Sequence, residues 1–428
     1  MSHILFISPY YPPEKAAAAV CVSENAKRLA MRGHQVTVLT TFPNYPTGVI
    51  PPEYRGRLIQ QEMRDGVRVV RVWSYTSANK GFLRRILAHL SFGCLAPVLG
   101  GAKIGHPDVI IAQSPPLFDA IAVRLLARRK RCPFIFMVSD LWPESAVQLG
   151  ALRNRLCIWL AECLEWSTYQ RAALVWAVTD GMRETLLRRG LAPEQVLLLT
   201  NGVDTQKFRP LSKEQARVAL GWDERFVVLY AGTHGLSHGL TTVLAAAEQI
   251  QHRDDIRIVL VGDGAEKAHL LELAGKRKIK NVAFLNPFPH DQVPQLLAAA
   301  DVCLAHVRDL PIFKGMLPIK MYEAMACARP IILALNGEAR RVAVQEAGAA
   351  LYVEPENASA LASAILTLRE NPAQAECLGL RGRAYVDTHF SYDVLVEALD
   401  AHIASLLNAH GASRPEALTS ANVKSYHV

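Results

Sequence analysis

The stretch Leu317–Ile332 reads LPIKMYEAMACARPII: a proline turn leads into a helix that carries Lys320 and Glu323 and runs directly on to a strand. Free amides and the positive end of the helix dipole, presented just after Pro318, suit a diphosphate. Lys320 adds charge there, as does Lys314 just upstream. Glu323, one turn in, can accept hydrogen bonds from two vicinal hydroxyls such as a ribose offers. A solvated Lys and Glu on an exposed helix end is the competing reading, and spacing alone favours it. Two glycine turns lie in the same half: Gly232-Thr233-His234-Gly235 closes one strand and Gly262-Asp263-Gly264 closes the next. Lacking a Cβ, glycine lets backbone approach a phosphate closely. One such turn carries little weight; two on adjacent strands at one sheet edge carry more. Neither completes G-x-G-x-x-G, and no G-x-x-x-x-G-K-[ST] occurs, which argues against a nicotinamide fingerprint and against a P-loop hydrolase.

The first half offers proline-rich loops with polar tips, each after a strand-like run. They are Pro9–Lys15 with Tyr10, Pro13 and Glu14; Phe42–Gly48 with Asn44 and Tyr45; Ser114-Pro115-Pro116; and Ser139–Glu144. Rigid loops on a scaffold are where substrate contacts concentrate. Asp140 and Glu144 fit a proton carrier or a hydroxyl clamp. They fit helix capping and first-turn dipole matching equally well, and the residues alone leave both open.

Strand-like and helical runs alternate almost from end to end. In the first half the strands are His3–Ser8, Gln35–Thr40, Val67–Trp73, Asp108–Ser114, Phe134–Ser139 and Leu174–Thr179, with helical patterns such as Ala16–Arg32, Leu117–Lys130 and Arg153–Arg171 between them. The second half repeats the grammar with Phe226–Gly232, Ile256–Gly262, Val282–Leu285, Val302–His306, Pro330–Leu335 and Ala350–Val353. Continuous apolar strands alternating with helices imply parallel sheets covered on both faces, and a dozen strands imply two doubly wound domains rather than one sheet. The turn-rich reach from Gly190 to Asp223 is the expected junction. Ligands of such sheets bind beyond the carboxyl ends of the strands, so the cleft between the domains is the expected active site.

With 428 residues, half of them hydrophobic, the composition is globular and excludes disordered and collagen-like classes. The net charge of +8 is lopsided: residues 1–200 carry +10 and residues 201–428 carry −2. Such a field suits an anionic surface, the alternative being a solvated basic face. Ile86–Ala102 is free of formal charge and follows Lys80, Arg84 and Arg85. A buried helix ending at Gly100 and Gly101 is the favoured reading, a helix lying in a membrane interface the other. The cysteines form no CxxC pair, which points to a reducing compartment. MSHILFISPYYPPEK reads as a buried strand rather than a signal peptide. The polar stretch from about Asn408 to Val428 reads as a frayed tail.

These strings together (SPYYPPE, RGHQVTVLTTFPNYPTG, SPPLF, DLWPESA, TNGVDTQKFRP, YAGTHGLSHGL, VGDGAEK and LPIKMYEAMACARPII) resemble the retaining glycosyltransferases of family 4, from Met1 to about Leu407. The resemblance is closest to bacterial transferases building O-antigen, capsule and colanic-acid-type repeats, including N-acetyl-fucosaminyl transferases. It implies a GT-B fold, two Rossmann-like domains facing a central cleft. Residues 1–200 would bind the acceptor and 201–390 the nucleotide-sugar; 391–407 would be a helix crossing back, and 408–428 a disordered tail. Glu323 matches the second glutamate of the family's E-x7-E motif, which looks like the ribose clamp. Gly262 and Gly264 match the turn beside the nucleotide, and Pro287 and Phe288 the loop resembling the nucleobase seat. Gly232, Thr233 and His234 fall on the adjoining donor turn.

The chain departs from the pattern. Gly315 stands where the first glutamate of E-x7-E would be, and Thr233 and His238 replace the usual Arg and Lys after YAG. Ala16–Ala19 replace the glycine pair after the first strand, and Ser114 or its neighbour the histidine after the fourth. Lys314 and Lys320 would supply the lost phosphate charge. The reading that follows is transfer, with retention, of an N-acetylated deoxy-sugar from a UDP-sugar to a polyprenyl-diphosphate-linked saccharide. No cofactor or metal is expected, since no D-x-D occurs, and no nucleic acid partner. The enzyme would be cytoplasmic and peripheral on the inner face of the plasma membrane, with Arg84, Arg85, Arg128 and Arg129 facing anionic lipid. The rivals are a sugar epimerase or phosphorylase on the same scaffold, and a catalytically silent member of a polysaccharide assembly complex.

Overall fold

The structure is a computed structural model and describes residues 1–412 except 15, 78–81, 149 and 151. Lys80 of the basic cluster therefore lies outside the described residues, as do 413–428. The chain lays down β1 (His3–Ile7), β2 (Gln35–Thr41), β3 (Ile59–Arg64), β4 (Val67–Val72), β5 (Val109–Ser114), β6 (Phe134–Val138), β7 (Leu174–Ala177) and β8 (Val196–Leu198). These form one sheet in the order β3-β4-β2-β1-β5-β6-β7-β8. A second sheet follows from β9 (Phe226–Ala231), β10 (Ile256–Val261), β11 (Val282–Leu285), β12 (Val302–His306), β13 (Ile331–Ala334) and β14 (Ala350–Tyr352), in the order β11-β10-β9-β12-β13-β14.

Two strands go beyond the sequence reading. β3 pairs antiparallel with β4, whereas a wholly parallel sheet is implied by its apolar strands. It is a polar, half-exposed edge strand joined to β4 by Asp65-Gly66, both in the left-handed region (φ +50° and +77°). That is the two-residue hairpin turn Asp-Gly favours. β8 is only three residues long and parallel to β7.

Alternation along each strand fills two core layers. Leu5 and Ile7 of β1 pack with Phe92, Leu117 and Val123, while Ile4 and Phe6 face Val22, Leu29, Leu395 and Leu399. The long last helix thus completes the first domain's core. This helix, Tyr392–Ala412, extends five residues into the stretch expected to be frayed. Arg28 reaches Asp393 at 2.9 Å, and Asp400 holds both Arg32 (2.7 Å) and His34 (2.9 Å). A single bridge, Val203 with Ser391, ties the two crossing segments together.

A second tie fixes the domains near the cleft. Glu338, largely buried, accepts hydrogen bonds from the backbone amides of Asp180 (2.8 Å) and Gly181 (2.9 Å), the first residues of the helix Asp180–Arg188. Arg341 reaches Asp180 at 2.8 Å. A carboxylate at that helix start is matched to the dipole and to free amides.

Candidate active site

β9 and β10 are neighbours in parallel register, so the turns after them meet at one sheet edge. They interlock. The amide of His234 donates to the Asp263 carbonyl at 2.8 Å, and a Cβ on Gly262 would lie 1.9 Å from the Gly232 carbonyl oxygen. A Cβ on Gly264 would lie 2.4 Å from the His234 carbonyl oxygen. Both glycines also hold φ near +150°, so no other residue fits either place. Lys267 pins the second turn by donating to the Gly262 carbonyl at 2.8 Å.

Helix Ile319–Ala326 starts at Pro318 and delivers Lys320 behind the first turn. The Lys320 Nζ lies 3.9 Å from the centre of the Tyr230 ring, sealed from solvent and without a hydrogen-bond partner in the protein. A Cβ on Gly232 would come within 2.6 Å of it. Burial pushes Lys320 down to about 7, against the favourable field of Glu323. A buried, unpaired ammonium beside glycine turns is a site for an anion.

Glu323 lies one turn further on, with His290 Nε2 at 3.2 Å from its Oε1. Lys207 Nζ lies 2.9 Å from His290 Nδ1. Lysine only donates, so Nδ1 accepts and the ring proton sits on Nε2, directed at Glu323. Phe288 is half-buried on the same loop. Thr233 is exposed, and its carbonyl accepts from the Tyr230 hydroxyl at 2.9 Å. Lys314 is exposed, and its carbonyl accepts from the Glu338 amide at 2.7 Å. The adjoining Gly315 packs against Gly181 of the other domain, where its Cβ would lie 3.6 Å from the Gly181 Cα.

Opposite, the loops of the first domain gather Tyr10, Asn44, Tyr45, Tyr75, Arg85 and His89 around a cavity. Tyr10 packs edge-on to Tyr45 (5.5 Å between ring centres) and to His89 (6.0 Å). Glu14 does not point into this space. It is buried and accepts from the amides of Asn44 and Tyr45, both at 2.8 Å, which makes it the brace of the Phe42–Gly48 loop. Pro13 is exposed beside it, and the fully buried Arg71 holds the Pro12 and Thr41 carbonyls.

Asp140 is half-buried and accepts from Ser145 Oγ at 2.7 Å; burial raises its pKa. Glu144 is instead engaged by Arg189, which also holds Glu165 at 3.2 Å. Ser114 is buried and its carbonyl accepts from the Ser139 amide at 2.7 Å. Its hydroxyl and both Asp119 carboxylate oxygens are buried without partners in the protein. Among the described residues no group of three or more His, Cys, Asp or Glu converges as metal ligands would.

Two family models match the chain: "Glycosyl transferase 4-like domain" over residues 16–202 and "Glycosyl transferases group 1" over residues 225–371. Each falls on one of the two sheets. The chain is a GT-B glycosyltransferase. It is similar to the Escherichia coli protein WcaI, named for glycosyl transfer in colanic acid biosynthesis, with 26% identity over 373 residues, 85% of this chain and 91% of that one. A D-inositol 3-phosphate glycosyltransferase of Catenulispora acidiphila is 27% identical over 84% of each chain. Among solved structures, the sucrose-phosphate synthase of Thermosynechococcus elongatus superposes with a TM-score of 0.74 at 22% identity, covering 96% of this chain and all of that one. HepE of Anabaena, solved with UDP and glucose, gives 0.67 at 20% identity over 95% of this chain and 100% of its own.

The transferase's basic surface is more divided than its sequence implies. The helices Phe82–Leu99 and Asp119–Lys130 each connect parallel strands and run from the cleft edge to the far edge of the sheet. Arg84 and Arg85, in the first turn of one helix, therefore sit at the cleft edge, and Arg128 and Arg129, in the last turn of the other, at the opposite one. Arg85 also lines the Tyr10 cavity. The helix over the apolar stretch buries Phe92 and Ala96 and exposes Leu83, Leu87 and Val98. No helix among the described residues is long and apolar enough to cross a membrane.

Sequence reasoning missed several groups. His290 and Lys207 are isolated residues 83 positions apart, so no spacing announces their link to Glu323. Glu338 follows a strand in an Asn-Gly-Glu turn, a signal that was available. On helix Arg155–Tyr169, Leu156, Trp159 and Leu160 stand 63%, 58% and 52% exposed, one turn of apolar surface on the layer that carries the basic helices.

Proposed function

We propose that the transferase moves a sugar, with retention, from a UDP-linked N-acetylated deoxy-sugar to a saccharide carried on a polyprenyl diphosphate, in bacterial surface-polysaccharide synthesis. In this reading residues 1–200 serve the acceptor and residues 201–390 the donor. One observation carries it: the sealed, unpartnered Lys320 ammonium beneath the Gly232 turn, with Glu323 one helical turn away. The uridine ribose is held by Glu323 through its two vicinal hydroxyls. The diphosphate lies against Lys320 and the first amides of helix Ile319–Ala326, with Lys314 at the rim. As the glycosidic oxygen leaves, Lys320 neutralises the growing charge in a site shielded from water. Asp140, half-buried with its pKa raised by burial, takes the proton of the attacking hydroxyl. Glu144, bound to Arg189, positions the helix behind it.

A donor of UDP type is supported by the likeness to HepE with its UDP, at the level of fold. The membrane side is supported by the exposed arginines and by the apolar turn at Trp159 on the same layer. The deciding experiment incubates purified protein with a panel of UDP- and GDP-sugars, a short lipid-diphosphate saccharide and EDTA, and measures released nucleotide. Acceptor-dependent UDP release in EDTA is expected. Release from GDP-sugars alone would overturn the donor, and strict dependence on added divalent metal would overturn the role given to Lys320. Co-sedimentation with anionic liposomes at low salt, lost at high salt, is the expected companion result; Gln at Arg84, Arg85, Arg128 and Arg129 should abolish it.

A further inference from the structure

Behind the Gly232 turn lie five nitrogens sealed from solvent without a hydrogen-bond partner: His234 Nδ1 and Nε2, His238 Nδ1, His306 Nε2 and Lys320 Nζ. They arrive from three places, the segment after β9, the end of β12 and helix Ile319–Ala326. The Tyr230 ring stands among them, with the His234 and His238 ring centres at 6.1 and 6.0 Å and the ammonium at 3.9 Å. His306 Nδ1 is 2.6 Å from the His238 carbonyl and so carries its proton, leaving Nε2 as a bare lone pair. Unpaired buried nitrogens destabilise a fold unless something else binds them.

The charged groups around them do not fill that role. Glu323 is turned to His290, Glu356 is paired with Arg308 at 3.3 Å, and Asp263 accepts from the Gly264 amide. Lys267 is tied to the Gly262 carbonyl. What remains is a pocket of neutral imidazoles and one marginal ammonium beside the place assigned to the donor's diphosphate.

We propose that His238 and His306 belong with Lys320 to the diphosphate-binding site, and that these three groups take up protons from solvent as the donor binds. The proposal rests on the nucleotide-sugar reading and adds to it groups whose charge depends on pH. Burial holds His238 down to about 4, lowers His306, and holds Lys320 at about 7. The negative charges of a diphosphate favour every protonated form. Affinity must then fall as pH rises through the interval between free and bound values, which for Lys320 begins near 7. An arginine in this place would give a pH-independent site.

The test is calorimetric titration of the full chain with UDP-N-acetylglucosamine and UDP-glucose, in two buffers of different ionisation enthalpy at pH 7 and pH 8. These diphosphates do not titrate in that range, unlike the terminal phosphate of UDP. Uptake of roughly half a proton or more at pH 7 is expected, with about fivefold weaker binding at pH 8. Binding with the same enthalpy in both buffers would overturn the proposal while leaving the donor reading intact. No binding of any nucleotide-sugar at millimolar concentration would overturn both. His238→Gln and His306→Gln should each reduce the uptake, and Lys320→Arg should leave only the imidazole share. Undiminished uptake in both histidine variants would remove those residues from the site.

Discussion

Glu14 and Lys320 are both ionisable side chains buried beneath loops at the cleft, one in each domain, and the fold treats them oppositely. Glu14 accepts two backbone amides at 2.8 Å and has Arg71 nearby, so its charge is matched within the protein even as burial raises its pKa. Lys320 has an aromatic ring on one side, no hydrogen bond, and a pKa pushed down to about 7. A satisfied buried charge is a brace that forms with the fold; an unsatisfied one is a cost that a ligand removes. The contrast assigns Glu14 to the shape of the Phe42–Gly48 loop and leaves Lys320 as the group open to a ligand.

Substituting each residue separates the two roles. Lys320→Met should lower kcat/KM for the donor by about 100-fold or more, the range for removing one preorganised charge at a developing anion. Its thermal midpoint should hold or rise, because an unpaired buried ammonium has been replaced by an apolar chain of similar length. A fall in both activity and stability would make Lys320 a structural residue and erase the contrast. Glu323→Ala should weaken UDP-sugar binding by about 1–3 kcal/mol, the value of a charged hydrogen bond left unmade. Unchanged affinity would mean that the ribose is held elsewhere. Glu14→Ala should leave donor affinity alone and reduce folding stability by about 1–2 kcal/mol, since two amides lose their acceptor. A loss of donor binding there would break the comparison from the other side.

Much of this was legible in the residues. Every apolar run read as a strand forms one, because continuous Val, Ile and Leu have a single low-cost place, between two helical layers. β3 was not read, since its polar alternation marks an edge and only Asp65-Gly66 announces the hairpin. Lys320 and Glu323 were visible as a pair because Pro318 fixes where their helix begins. The Lys207–His290–Glu323 chain and the His306 lone pair were not, because isolated residues far apart in sequence carry no period. Arg85 was read as facing lipid, yet it also lines the Tyr10 cavity, a distinction that depends on which end of a helix meets the cleft.

The smallest expected effect concerns the outer helical layer of the first domain. If the basic residues alone hold the transferase at a bilayer, the Leu156, Trp159 and Leu160 turn is incidental exposure of the kind every surface has. If the surface is built to dock, that turn enters the interface while the basic side chains of the same layer stay with the headgroups, and the two contributions respond to different conditions. Trp159→Ser should then weaken association with anionic liposomes by about 1 kcal/mol, roughly fivefold in partitioning, at low and high salt alike. The arginine contribution, by contrast, decays as the Debye length shortens. Equal partitioning of Trp159→Ser and the unaltered protein would leave electrostatics as the sole attachment and make the apolar turn a feature of the fold alone.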